Sequence, residues 1–241
     1  MKLVVRHLTR IDDIDFVPEK QIEFRNNTDQ LNNPFIFDEK FNDEGLSDVK
    51  YEESVEIITI NLIKKLSNKI TENFNNYTIF SSPFLRCIQT ALHIAFKLNI
   101  TLDNIKIDFN LGEHNDKFLF ETPYNPEKIY KQSLKYLNEI NKIDVTTFDI
   151  INNTYTGNDV ELENEYNTRL HTEINSIFNE HSNFIICTHN YALETFNVKS
   201  MQYGEVYDLN EIIIKTGGLN IKYYNKYIKY KQKYIKLKNI T

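Results

Sequence analysis

The sequence predicts an α/β fold: a three-layer α/β/α sandwich with a mostly parallel central sheet. Short apolar strands at residues 2–6, 77–80 and 184–187 each run into a polar turn. Segments with helical periodicity alternate with these strands, as is typical of parallel sheets covered by helices. The chain of 241 residues is long enough for one large core, and we assign residues 1–224 to one domain.

The first strand, KLVVR at 2–6, has the apolar character of a strand buried on both faces. Residues 11–44 are polar and show no period, which predicts a long loop or insertion. A helix is predicted from Gly45, because apolar residues then recur at intervals of three and four. These residues are Tyr51, Val55, Ile58, Leu62 and Leu66.

The second unit is YTIFSSPFLRCIQTALHIAF, residues 77–96. Its strand is followed by Ser82, which we interpret as a helix cap, and by Pro83, which suits a first helical position. Arg86 then falls in the first turn of the helix. The predicted buried stripe of this helix is Leu85, Ile88, Leu92 and Phe96.

The third strand, IKIDF at 105–109, leads into the polar loop NLGEHND. The stretch 126–180 is predicted to be helical in pieces, with an interruption near 152–158. We place a second insertion at about 114–160.

The last strand, 184–187, is followed by a polar turn at 188–190 and a predicted helix. A hairpin is predicted around Gly217 and Gly218. We separate residues 225–241 as a basic amphipathic C-terminal helix or tail.

Composition excludes several classes of protein. No stretch approaches the roughly 18 apolar residues of a membrane span, and no secretory signal pattern is present, so we expect a cytoplasmic protein. Residues 221–241 carry seven lysines and no acid, whereas the remainder has 21 basic and 34 acidic residues. That negative body argues against nucleic acid as the substrate. A homodimer, and a contact between the basic helix and an acidic surface, stay open.

Cysteine and histidine spacing gives no sign of a metal. Cys87 and Cys187 lack zinc-ligand spacing, and two cysteines are too few for a disulfide framework. The histidines form no HExxH-like cluster, so we predict no metal and no cofactor. His93, His171 and His181 are expected at the surface, on polar helix faces.

Positively charged side chains converge at the predicted strand ends, where ligands bind in open α/β sheets. Three strand ends supply Arg6, His7 and Arg10, then Arg86, then His189. Such a cluster is costly unless an anion lies within it. Guanidinium groups match phosphate oxygens, and the N-terminus of a helix adds N–H donors. The predicted ligand is a phosphoryl group.

Four blocks resemble the histidine phosphatase (phosphoglycerate mutase-like) superfamily. In chain order they are VVRHLTR, SSPFLRCIQTA, LGEHN and ICTHNYALE, within about residues 3–196. The second block is the most specific. Arg10 and the RCIQTA segment are similar to the branch of the suppressor-of-T-cell-receptor-signalling (TULA) phosphatases.

The resemblance implies a metal-independent phosphomonoesterase in which His7 is the nucleophile and Glu113 the proton donor. It implies that four residues bind the phosphate: Arg6, Arg10, Arg86 and His189. The substrate is a phosphomonoester of a small molecule or a protein. In the loop around Glu113, His114 or Asp116 could donate the proton instead. We expect neighbouring cations to lower the pKa of His7.

One position departs from the family, which has a glycine where this chain has Leu8. Leucine is unfavourable if the backbone there needs a positive φ or close approach to the phosphate. A phospho-ligand binding module with weakened catalysis therefore stays open, as does a phosphoglycerate-mutase-like phosphotransferase.

Two other phosphatase chemistries fit the sequence less well. A cysteine phosphatase needs an arginine six positions after its cysteine, where this chain has His93 and Leu193. A haloacid-dehalogenase-type Asp-x-Asp pair matches residues 13–15 superficially, but it follows a charged segment and that chemistry requires magnesium.

Overall fold

The structure is a computed structural model. It describes residues 1–8, 49–71, 73–114, 125–139, 148–152, 154–158, 160–195 and 202–211. The predicted 11–44 loop, the hairpin around Gly217 and the C-terminal helix lie outside these residues. Arg10 and Asp116 also lie outside them.

Strands and helices alternate along the described chain. The strands are β1 (Lys2–Arg6), β2 (Thr78–Ser81), β3 (Ile105–Asp108), β4 (Asp149–Asn152), β5 (Phe184–Thr188) and β6 (Val206–Asp208). The α-helices are α1 (Val49–Lys69), α2 (Leu85–Leu98), α3 (Pro126–Glu139), α4 (Glu163–Glu180) and α5 (Asn190–Glu194). None of the helices in the described ranges combines the length and the apolar character needed to cross a membrane.

One six-stranded sheet, in the order β4-β3-β2-β5-β1-β6, forms the middle layer. Its neighbouring strands are parallel except β6, which runs antiparallel to β1. Successive side chains of a strand point to opposite faces: Leu3 and Val5 pack with α1, α2 and α3, whereas Val4 packs with α4. The predicted three-layer, mostly parallel α/β sandwich is confirmed.

Strands β4 and β6 were not predicted. β4 lies within the stretch predicted to be helical in pieces, and it pairs with β3 through Ile150 opposite Ile107. β6 has three residues and pairs with β1 through Val206 opposite Val5. β4 and β6 are the two edge strands of the sheet, so they lack the long apolar run of a strand that is buried on both faces.

Helix α2 differs from its prediction in its N-cap and in one residue of its buried stripe. It begins at Leu85 after Phe84 in the N-cap position, which makes no side-chain cap bond, so the prediction that Ser82 caps the helix was wrong. Phe96 is 60% exposed. Residues at four-residue intervals drift by about 40° per step around a helix, which carries Phe96 off the buried face. The other stripe residues are buried: Leu85, Ile88 and Leu92.

The prediction that His171 lies at the surface was wrong. His171 is buried, and its Nε2–H donates to the Thr195 carbonyl at 3.3 Å. His93 is half-buried, and burial lowers its pKa to about 4. His181 is also half-buried, with its ring centroid 4.9 Å from that of Phe80.

Candidate active site

The three neighbouring strands β1, β5 and β2 end at the same height in the sheet. Arg6 at the end of β1 pairs with Thr188 on β5. Ser81 at the end of β2 pairs with Cys187, also on β5. The residues that follow β1, β2 and β5 therefore leave the sheet at one edge, where ligands bind in open α/β sheets.

His7 follows β1, and its contacts define its tautomer. Its ring is buried, and Nδ1 lies 2.8 Å from the carbonyl oxygen of Leu8. A carbonyl only accepts, so Nδ1 carries the proton. Nε2 accepts from the Arg86 Nε–H at 3.3 Å. The Nε2 lone pair of a neutral imidazole therefore points at a guanidinium.

The pKa of His7 is lowered well below its usual value of 6.5. Burial is the largest cause, followed by the charges of Arg86 and His189 and, to a smaller extent, Arg6; the hydrogen bond to Leu8 opposes the shift. The predicted direction is confirmed, although burial outweighs the cations that we expected to cause it. His7 is neutral at physiological pH, as a nucleophile must be.

Arg86 joins the other members of the site. Its guanidinium is 2% exposed and lies 4.6 Å from the Phe84 ring centroid. Its Nη2 is 2.9 Å from His189 Nδ1 and 3.2 Å from Glu113 Oε2. The first turn of α2, which carries Arg86, also favours anions through the helix dipole.

His189 is fully buried where β5 ends, with its ring centroid 5.4 Å from that of His7. Its Nε2 lies 2.9 Å from Ser82 Oγ, and its Nδ1 lies 3.0 Å from Glu113 Oε2. Nδ1 must hold a lone pair to accept from Arg86 but a proton to donate to Glu113. The Ser82 hydroxyl can serve either state, because it both donates and accepts.

Glu113 reaches the cluster from a loop that follows the short 3-10 helix Phe109–Leu111. Its side chain is 16% exposed, so it contacts Arg86 and His189 while it keeps access to solvent. Thr188 Oγ1 donates to the carbonyl of Leu111 at 3.2 Å and ties this loop to the end of β5.

His114, the alternative proton donor, has a different set of contacts. Its ring is stacked on Tyr191 at 5.1 Å with an interplanar angle of 9°. Its Nε2–H donates to the carbonyl of Glu161 at 3.0 Å. Glu113, by contrast, contacts both Arg86 and His189.

Leu8 is accommodated without strain. Asn99 alone among non-glycine residues in the described ranges has a positive φ, so the Leu8 backbone is not left-handed. Its side chain is buried in the hydrophobic core, and a Cβ added to Gly204 would lie 3.3 Å from Leu8 Cδ2. The Leu8 N–H donates to Thr90 Oγ1 at 3.0 Å, and that hydroxyl donates to the Arg86 carbonyl at 2.7 Å.

Tyr203 is a member of the site that the sequence did not reveal. Its ring centroid is 3.8 Å from the Arg6 guanidinium carbon and 5.6 Å from the His7 ring. The turn that carries it is fixed to β1, because the Arg6 N–H donates to the carbonyl of Glu205 at 3.2 Å. An arginine stacked on an aromatic ring keeps its charge beside His7.

Thiolate chemistry does not fit this site. Cys87 Sγ lies 3.5 Å from His189 Nε2, but burial raises the pKa of Cys87 to about 12. The pKa of Cys187 is also raised by burial. Both thiols are therefore protonated at neutral pH and poor nucleophiles. Across the described residues, no three His, Cys, Asp or Glu side chains are grouped as a metal site requires.

Comparison with known proteins finds a likeness in structure but none in sequence. No protein-family model and no curated protein sequence matches the chain. The structure is similar to that of the ecdysone phosphate phosphatase EPPase from Bombix mori, determined in complex with tungstate. The TM-score is 0.49 and the identity is 14%, over 86% of this chain and 82% of that chain. At these values the likeness carries no inference about the chemistry of the site.

Proposed function

We propose that the protein is a histidine phosphatase, a metal-independent phosphomonoesterase that acts through a phosphohistidine on His7. One observation carries this proposal: the Nε2 lone pair of a buried, neutral His7 faces the Arg86 guanidinium beside His189. A nucleophile surrounded by cationic donors suits an anionic electrophile such as a phosphoryl group.

In the first step, His7 Nε2 attacks phosphorus in line with the leaving oxygen. The N–P bond forms as the P–O bond breaks, and the Glu113 carboxyl donates its proton to that oxygen. Arg86, His189 and Arg6 hold the non-bridging oxygens. A phosphate dianion attracts Arg86 and His189 away from the Glu113 carboxylate and favours the protonated acid beside it.

In the second step, water attacks the phosphohistidine. Glu113, now ionised, takes a proton from the water while the O–P bond forms and the N–P bond breaks. Inorganic phosphate and neutral His7 result. Arg10 is proposed as a fourth phosphate ligand, and its placement stays a prediction because it lies outside the described residues.

The test is hydrolysis of p-nitrophenyl phosphate in excess EDTA. We expect turnover by the wild-type protein and none by His7→Ala. The matched control is His181→Ala, a half-buried histidine that precedes the amino end of β5, and we expect this variant to keep its activity. Quenching in alkali, where phosphohistidine is stable, should trap one phosphoryl group on the peptide that contains His7.

Three outcomes would contradict the proposal. Activity that EDTA abolishes would indicate a metal-dependent enzyme. Phosphate binding without turnover would indicate a binding module, the alternative that Leu8 suggests, although the Leu8 backbone is not left-handed. Transfer of the phosphoryl group to a sugar acid in preference to water would indicate a mutase.

A further inference from the structure

A second buried arginine lies near the site. Arg169 on α4 forms a two-pronged ion pair with Glu161: Nε to Oε1 at 2.6 Å and Nη2 to Oε2 at 2.7 Å. The Arg169 side chain is 3% exposed and that of Glu161 is fully buried. Replacing such a pair with apolar side chains is often neutral or stabilising, so its presence calls for a role other than stability.

The remaining contacts of this pair go to the backbone around Glu113. Arg169 Nη1 donates to the carbonyl of Asn110 at 2.5 Å, and Nη2 approaches the carbonyl of Glu113 at 3.5 Å. The carbonyl of Glu161 accepts from His114 Nε2 at 3.0 Å. The ion pair therefore contacts the loop at Asn110, at Glu113, which is the proposed acid, and at His114.

This loop needs an external support. Residues 112–114 follow a single 3-10 turn and belong to no helix or strand. α4 is an 18-residue helix packed on the sheet through Tyr166 and Leu170. Contacts from a packed helix can therefore fix a loop that has little structure of its own.

We propose that Arg169, held by Glu161, is a positioning residue that places the Glu113 carboxyl against Arg86 and His189. The Arg169 charge is matched by Glu161, and its Nη2 approaches the Glu113 carbonyl rather than the carboxyl. Arg169 therefore acts by fixing the position of the loop and not by adding charge beside the Glu113 carboxyl. This inference rests on the proposed role of Glu113 as the acid.

The test compares two leaving groups, because general acid catalysis matters most when the leaving group is poor. Arg169→Lys keeps the positive charge opposite Glu161, but it loses the guanidinium N–H groups that donate to the loop carbonyls. We expect kcat/KM, which reports the step that releases the leaving group, to fall roughly 10–100-fold for an alkyl phosphate. We expect kcat/KM for p-nitrophenyl phosphate to fall less than about threefold, because nitrophenolate leaves with little protonation. Glu161→Gln, which keeps the shape of the pair, should show the same split.

The matched control is Thr168→Ala, an exposed neighbour on α4 whose hydroxyl donates to the carbonyl of Asn164; it should change neither rate. Equal losses of kcat/KM for both substrates in Arg169→Lys and Glu161→Gln, or no loss in either variant, would overturn the inference. Glu113→Gln is measured in parallel. If it shows no leaving-group dependence, the proposed acid is wrong. If it does while the Arg169 and Glu161 variants do not, only the positioning role fails.

Discussion

Two buried arginines, Arg86 and Arg169, lie on either side of Glu113 and have opposite surroundings. The guanidinium of Arg169 is matched by the two oxygens of Glu161, both at 2.7 Å or less. The guanidinium of Arg86 contacts two imidazoles and one oxygen of Glu113, whose side chain is partly exposed.

The difference shows how a buried arginine can either hold the structure together or bind a ligand. At Arg169 the carboxylate is buried beside the cation, so an incoming anion would gain little. At Arg86 the carboxylate can move toward solvent, and an anion could take its place. The charge balance around each guanidinium, rather than burial, separates a structural arginine from one suited to bind a ligand.

The largest expected effect is on stability, in Arg169→Met. It leaves the Glu161 carboxylate buried without its guanidinium, which should lower the free energy of unfolding by about 3–5 kcal/mol. The chain has no tryptophan, so urea unfolding is followed by circular dichroism. Arg169→Met with Glu161→Met should regain most of the loss, and a double variant as unstable as the single one would contradict this account.

Arg86→Met should show the reverse pattern. Loss of one donor to the transferring phosphoryl group should lower kcat about 100–1000-fold. The free energy of unfolding without phosphate should change by less than about 1 kcal/mol, because the variant also removes a costly buried cation. Lys97→Met, at the exposed end of the same helix, is the control. A loss of stability as large as that of Arg169→Met would end the distinction between the two arginines.

Inorganic phosphate should stabilise the wild-type protein by mass action. At a phosphate concentration 100 times the Kd, the gain is about 2.7 kcal/mol, measured as a rise in Tm against sodium chloride of equal ionic strength. Arg169→Lys should keep this gain and Arg86→Met should lose it. An equal gain in both variants would place the phosphate elsewhere.

Much of the fold was predictable because β1, β2 and β5 are buried on both faces and read as apolar runs. β4 and β6 were missed because they are the two edge strands of the sheet and lack a long apolar run. The start of α2 was wrong for a different reason: Ser82 is a common helix cap, but its hydroxyl contacts His189. A local pattern cannot show that a side chain has a distant partner.

Prediction of the candidate active site is limited in the same way. His7, Arg86 and His189 were foreseen together because parallel strands end at one edge of a sheet. Tyr203 reaches Arg6 from almost 200 residues away along the chain, with no motif around it. Arg169 lies eight residues after Glu161, a spacing that is typical of no helical pair. The members that were missed depend on tertiary contacts.

The two arginine clusters also predict opposite effects of pH on stability. Near Arg169, Asp108 is buried close to Glu173, and its pKa is raised to about 8, chiefly by burial and then by the charge of Glu173. The folded state keeps a proton that the unfolded state loses above about pH 4. Stability should fall as pH rises toward 8, by up to about 1.4 kcal/mol per pH unit.

Asp108→Asn keeps the shape of the protonated acid, so it should flatten this slope in urea unfolding between pH 5 and 8. The exposed Asp103→Asn should leave the slope as in the wild type. An unchanged slope in Asp108→Asn would show that Asp108 does not hold the extra proton of the folded state.

Near Arg86 the effect of pH on stability has the opposite sign. The pKa of His7 is lowered, so below its unfolded value of about 6.5 the unfolded state binds a proton that the folded state refuses. Stability should therefore fall as pH decreases below about 6.5, and His7→Gln should remove this contribution while His181→Gln does not. The same shift predicts that kcat/KM in the wild type shows no acid limb near pH 6.5, because the nucleophile stays neutral there. A limb at that pH, measured with a substrate whose phosphate does not titrate there, would mean that burial and the neighbouring cations fail to exclude the proton from His7.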